Sequence, residues 1–155
     1  MKPLIVYFSQ TGYTRKVAIN MARSVNADIL EIDPEMPYTE SDLDGYKESS
    51  RTYREQHDPS SRPAIRTFSV DISEYKKIII GFPIWWYIAP RLINTFIETV
   101  DLKDKDIYLF ATSYESPIEK AVKELKADYP KLNIKDARLM NHLDEEIIKD
   151  CDKEI

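Results

Sequence analysis

One cysteine and two histidines stand in a chain of 155 residues. The single thiol, Cys151, has no partner, which excludes an internal disulfide framework and any metal site built from several cysteines. It reads as a spare thiol on a terminal helix. His57 and His142 lie in polar surroundings and read as surface residues rather than catalytic ones. No apolar run approaches the ~20 residues needed to cross a bilayer, so a membrane is not an expected partner. Basic residues are in deficit too: the formal charge is −5, whereas proteins that bind nucleic acid display a basic stripe to neutralise phosphates. An acidic surface suits basic protein partners better. Lys2 and Pro3 precede only the five apolar residues LIVYF. A signal peptide has a longer apolar region and a small-residue cleavage site, so the expected location is the cytoplasm.

What is present is an alternation of short apolar runs with helical patterns, in a length that suits one domain over 1–155. LIVYF (4–8), DILEI (28–32), KIIIGF (77–82), IYLFAT (107–112) and NIKDARLM (133–140) are strand candidates, rich in β-branched and aromatic residues. LIVYF and KIIIGF are almost continuously apolar, as strands covered on both faces must be, which implies a central parallel sheet. Between them Val17, Met21 and Val25, then Leu92, Phe96 and Val100, then Ile118, Ala121, Val122 and Leu125 recur at helical spacing. Segment 40–56 is predicted as a helix, HDPSSRP (57–63) as a surface loop, and HLDEEIIKDC (142–151) as a short closing helix. Five strands alternating with helices predict an α/β doubly wound domain with helices on both faces. Ligands of such sheets sit beyond the carboxyl ends of the strands, where the strand order reverses.

Three loops fall at those ends. The first is SQTGYT, Ser9 to Thr14. A helix start leaves about four backbone N–H groups without partners and carries the positive end of the helix dipole, so it attracts anions. Gly12 lets the backbone curl inward, and Ser9, Thr11 and Thr14 add hydroxyls, which suits a terminal phosphate. The alternative is that Thr11 or Thr14 merely caps the helix. No Gly-Lys-Ser/Thr follows, and one glycine cannot supply the GxGxxG of a dinucleotide turn. Arg15 and Lys16 either assist with phosphate charge or stay solvated. The second loop is GFPIWWYIAP, 81–90. Adjacent side chains diverge, so Trp85 or Trp86 is expected to face the crevice and stack on a flat ligand. The alternative places one indole in the core and the other against a neighbouring helix. Pro90 fits a first helical turn, and Ile88 is a candidate dimer contact. The third loop is ATSYESP, 111–117, where Thr112 and Ser113 offer hydroxyls and Tyr114 a stacking face, or which is a plain turn.

With these residues assembled, the chain resembles the flavodoxin family, in particular a short branch with a Ser/Thr-x-Thr-Gly-x-Thr loop after the first strand and G-Y/F-P-I-W-W after the third. Here those are SQTGYT (9–14) and GFPIWW (81–86), joined by RPAI at 62–65 and the Thr-Ser pair 112–113. The resemblance implies a flavodoxin-like three-layer sandwich with a five-stranded parallel sheet in the order 2-1-3-4-5, binding FMN noncovalently. It implies that Ser9, Gln10, Thr11, Gly12, Tyr13 and Thr14 surround the phosphate. Pro83, Ile84, Trp85 and Trp86 embrace the isoalloxazine, and Thr112 with Ser113 reaches its pyrimidine edge. The branch usually has glycine after the tryptophans and a glycine-rich third loop; this chain has Tyr87, Tyr114 and Glu115 there, which must make new contacts or narrow the site. The implied role is electron transfer, or a small FMN-dependent oxidoreductase of the NAD(P)H:quinone type. It needs no catalytic acid or base and no metal, because the flavin carries the chemistry. Its partner is a redox protein or a small electron acceptor, and the chain is a monomer or homodimer. The competing class is a flavodoxin-fold interaction module that has lost flavin or holds another phosphate ester. A low-molecular-weight phosphatase would need a cysteine in the first loop, and a phosphoacceptor receiver would need acidic residues after the first strand.

Overall fold

The structure, a computed structural model, describes residues 2–44 and 47–140. Its strands are β1 (Leu4–Tyr7), β2 (Asp28–Glu31), β3 (Lys77–Pro83), β4 (Asp106–Thr112) and β5 (Ile134–Leu139). They form one five-stranded parallel sheet in the order β2-β1-β3-β4-β5. The helices are α1 (Tyr13–Val25), α2 (Arg51–His57), α3 (Arg91–Thr99) and α4 (Glu119–Asp128). Because β1 leads leftward to β2 and β3 rightward to β4, the strand order reverses between β1 and β3, and the loops leaving those two strands flank that crevice.

The apolar content of β1 and β3 follows from their covering on both faces. Leu4, Val6, Phe8, Ile78, Ile80 and Phe82 pack with Leu92 and Phe96 of α3 and Ala121 and Leu125 of α4. Ile5, Tyr7 and Ile79 point the other way, onto Val17, Ala18 and Met21 of α1, with Phe110 and Met140. Alternation along each strand sends neighbours to opposite faces, so a central strand can spare no polar position. Gly81 meets a different demand. A Cβ there would fall 2.0 Å from the Phe110 ring, so the aromatic side chain fills the space that the glycine leaves. Helix α1 ends where Asn26 takes a left-handed conformation (φ 52°) and its N–H closes on the Ala22 carbonyl.

The segment 40–56 is not one helix. Residues Ser41–Leu43 make a 3-10 turn, and α2 starts only at Arg51. Asp42 and Thr39 bond each other's backbone amides, which winds a tight turn at the start of the segment. The helix start belongs to Ser50, whose Oγ accepts from the Tyr53 amide. Of the loop expected over 57–63, His57 is the last residue of α2 and 58–63 are loop, folded about Asp58, which accepts from both the amide and hydroxyl of Ser60. Beyond it Pro34 and Ile65 form an isolated antiparallel bridge that pins 62–66 along the exit of β2. The predicted closing helix 142–151, with His142 and Cys151, lies outside the described residues. Among the described residues no helix is long and apolar enough to cross a membrane, and no group of His, Cys, Asp or Glu is placed to hold a metal ion.

Candidate functional site

The first loop links β1 to α1 through a left-handed glycine. Gly12 sits at φ 92° and caps the helix by its backbone rather than by a side chain. The nearest described atom to a Cβ there is Arg15 Nη1 at 3.6 Å, so the glycine is required by conformation and not by crowding. Ser9 organises the curl, its Oγ accepting from the amides of Gly12 and Arg15, both at 3.1 Å. Among the described residues the amides of Thr11, Tyr13 and Thr14 have no hydrogen-bond partner, and the first turn of α1 contains no acidic residue to offset the dipole. Thr14 is buried, and its hydroxyl lies 2.8 Å from that of Thr112 at the end of β4. Neither Thr11 nor Thr14 caps α1 with its side chain. Arg15 is drawn aside by Glu31, at the end of β2, and that hydrogen bond raises the guanidinium's pKa. Lys16 is exposed.

The second loop leaves β3 and reverses in four residues. Trp85 and Ile88 exchange backbone hydrogen bonds of 2.9 and 3.2 Å, and the two residues between them, Trp86 at φ 55° and Tyr87 at φ 70°, are both left-handed. That is the dihedral signature of a type I′ turn, normally made by Asn and Gly. Both indoles are half-buried. Trp85 meets Phe8 and Tyr38 edge to face, with centroids at 5.4 and 5.1 Å. Trp86 meets Tyr53 and His57 of α2 in the same manner, at 5.2 and 5.1 Å. One tryptophan thus leans on the core and the other on a helix, yet each also presents surface to the crevice. Ile88 is only 5% exposed, which removes it as a dimer contact: it is buried in its own chain.

The third loop is anchored from below. Thr112 is buried, with its hydroxyl committed to Thr14 and its carbonyl accepting from the Ile84 amide. The Ser113 hydroxyl donates to the Ser116 carbonyl and closes the loop on itself. Tyr114 stands out at 97% exposure, and Glu115 is exposed beside it.

A cavity of about 650 Å³ lies where these loops converge, lined by Gln10 and Thr11 from the first, Pro83, Ile84, Trp85 and Trp86 from the second, and Tyr114 from the third. Leu43 and Thr52 complete the wall. Sequence reading misses those two, because a single helix over 40–56 would place them elsewhere. It misses Tyr38 as well. The Tyr38 hydroxyl donates to Glu55 at 2.6 Å, its ring lies 3.8 Å beneath the Arg51 guanidinium, and its carbonyl accepts from Gln10. Burial, and then the Glu55 hydrogen bond, hold the Tyr38 hydroxyl far above the ordinary tyrosine pKa. It remains a neutral donor at any physiological pH.

A third group that sequence reading misses braces the second loop. Gln56, on α2, is buried; its Nε2 donates to the carbonyls of Trp85 (2.7 Å) and Ala89 (3.2 Å), while its Oε1 accepts from the Arg91 amide. Arg91 replies from the start of α3. Its guanidinium donates to the Glu55 and Gln56 carbonyls at the C-terminal turn of α2 and to Glu124 on α4. The Glu55 carbonyl also accepts from the Asp58 amide that caps the helix, and a cation at this end of α2 is favoured by the dipole.

No match is found among curated protein sequences. Solved structures do resemble the chain. A protein from Bacteroides eggerthii DSM 20697, described as a candidate flavoprotein, shares 45% identity over 97% of this chain and 94% of its own, with a TM-score of 0.93. A second such candidate, from Bacteroides uniformis ATCC 8492, shares 44% identity over 98% and 97%, with a TM-score of 0.94. A flavoprotein from Lactobacillus acidophilus NCFM, crystallised in complex with FMN, has the same fold at 24% identity, covering 96% of this chain and 97% of that one, with a TM-score of 0.75. The flavodoxin family model matches residues 2–154, which is nearly the whole sequence, and this chain therefore belongs to the flavodoxin family.

Proposed function

We propose that this protein binds FMN noncovalently in the crevice at the carboxyl ends of β1, β3 and β4 and uses it to pass electrons, as a carrier or as a small oxidoreductase. The observation that carries the reading is a single juxtaposition: unpartnered amides at a left-handed glycine open beside a cavity walled by two half-exposed indoles. The donor set fits a phosphate ester, and the aromatic wall fits a flat ring. Membership in the flavodoxin family and the FMN complex of the Lactobacillus protein support the same cofactor.

In this reading Ser9 shapes the phosphate loop, and the amides of Thr11, Tyr13 and Thr14 donate to the phosphate oxygens, with Gln10 beside them. The Thr14 hydroxyl, 2.8 Å from that of Thr112, fixes the base of the loop and with it the direction of the loop's amides. Pro83 to Trp86 flank the ring, with Tyr87 holding the turn and Ser113, Tyr114 and Glu115 at its outer edge. When bound, the flavin accepts and returns electrons; the chain orients it, screens one side from water and sets the local charge. No acid or base from the chain is required.

Titration of cofactor-free protein with FMN and with riboflavin tests this. FMN fluorescence should be quenched, and riboflavin, which lacks the phosphate, should bind at least about a hundredfold more weakly, the cost of losing two or more charge-assisted hydrogen bonds. Trp85→Ala and Trp86→Ala should each weaken FMN about tenfold. Equal affinity for the two flavins, or no quenching by either, would refute the assignment.

A further inference from the structure

We propose that Gln56 is a positioning residue: its buried carboxamide clamps the Trp85–Ala89 turn in its left-handed conformation, and through that turn presents the tryptophans to the ring. The inference rests on the flavin reading above. A primary amide carries two donor hydrogens and one acceptor oxygen. Gln56 spends all of these on three backbone positions that bracket the turn, the carbonyls of residues 85 and 89 and the amide of residue 91. Between those anchors lie Trp86 and Tyr87, held at dihedrals that residues with a Cβ avoid. The turn's own two hydrogen bonds close it but do not favour that hand for such residues. A brace from outside the loop answers the need.

The brace is itself held. Helix α2 has seven residues, too few to persist without tertiary support. Arg91, 3% exposed, reaches back to two carbonyls of its last turn and forward to Glu124. Helix α2 thus fixes the tryptophan turn through Gln56, and the residue just past that turn fixes α2. Elsewhere on α2, Tyr53 and His57 meet Trp86 edge to face, and Thr52 lines the cavity. Nothing in this arrangement needs Gln56 to touch the ring.

The test exploits a glycine. If Gln56 acts by holding left-handed residues, then Tyr87→Gly, which adopts φ > 0 at no steric cost, should make Gln56 less necessary. Gln56→Met keeps length and removes every hydrogen bond. In FMN-free protein it should speed hydrogen exchange at the Trp85 and Ile88 amides by about tenfold while leaving the β3 amides of Ile79 and Ile80 at the wild-type rate. It should also raise the FMN Kd by about tenfold, and Gln56→Met/Tyr87→Gly should recover most of both losses, a non-additivity that a merely structural role would not produce. Should Gln56→Met not fold, Gln56→Glu, which keeps the acceptor for Arg91 and loses both donors, is read by the same measurements. Unchanged exchange at residues 85 and 88, or strictly additive effects of the two substitutions, would overturn the proposal. If wild-type protein binds no FMN, the functional reading fails, and the exchange data still decide whether Gln56 positions the turn.

Discussion

Thr14 and Thr112 lie 98 positions apart in sequence and meet hydroxyl to hydroxyl at 2.8 Å beneath the first loop. Both are buried. The contact ties the start of α1 to the carboxyl end of β4, so the first and third loops share one foundation.

Thr112→Val keeps the shape and strands the Thr14 hydroxyl away from water, which should cost about 1–3 kcal/mol of unfolding free energy. Thr14→Val should do the same. The double variant replaces both partners by apolar groups of the same shape and should lose clearly less than the sum. Urea denaturation of the three proteins without FMN measures this, and a double variant as unstable as the summed singles would contradict it.

Tyr87 stands at φ 70° and is 55% exposed, with the Lys120 ammonium 5.7 Å from its ring centre. A left-handed conformation costs a residue with a Cβ roughly 1 kcal/mol, while an exposed cation–π contact returns only about 0.5 kcal/mol. Tyr87→Gly should therefore raise stability by up to about 0.5 kcal/mol, offset in part by the greater freedom of glycine in the unfolded chain. A loss above about 1 kcal/mol in urea melts would show that the ring holds the loop through contacts beyond Lys120.

Alkaline pH should weaken the fold through tyrosines whose folded pKa is raised, Tyr38 and Tyr7 by burial first and two others within a definable range. Burial first, and then the hydrogen bond to Glu98, push Tyr129 up to about 12 from an ordinary 10.0. For Tyr75 the hydrogen bond to Asp28 comes first and burial second, and they too push it up to about 12 from 10.0. Well below pH 10 both the folded and the unfolded chain hold these protons; above it the unfolded chain releases them first, so stability declines as pH rises from about 10 to about 12. Tyr129→Phe should flatten part of that decline in denaturant midpoints taken across the same window. A decline of the same depth in the variant would assign it to other groups.

Glu115 is exposed at the third loop, next to Tyr114 on the cavity rim. A carboxylate there opposes the negative charge that a flavin gains on reduction. Two like unit charges about 8 Å apart in water repel by about 0.5 kcal/mol, on the order of 20 mV for one electron, which sets the scale of the effect. Glu115→Gln should bind FMN as before and reduce at a potential higher by that amount, less in high salt. A potential that falls, or one that ignores salt, would place the carboxylate elsewhere in the electrostatics of the ring.

Much of this architecture is written locally. The unbroken apolar runs of β1 and β3 and the helical spacing of Val17 and Met21 need only neighbours in sequence to be read, and the loops that matter follow from where those elements stop. The break within 40–56 is harder. Several residues of that segment are good caps, and the selection of Ser50 depends on where α2 packs, not on the string of residues. Gln56 is illegible for the same reason. Its partners lie 29 to 35 positions away, and a glutamine on a short polar helix looks like surface until the fold surrounds it. The two left-handed residues of the turn carry no glycine or asparagine to announce them.

That last property bears on engineering. A peptide copied from positions 85–88, or the same residues spliced into another scaffold, would relax to ordinary dihedrals, because the curvature is imposed from positions 56 and 91. The smallest portable unit is the loop together with α2 and the first turn of α3. Exchanging pockets among relatives by swapping only the tryptophan segment would move the side chains and leave their geometry behind.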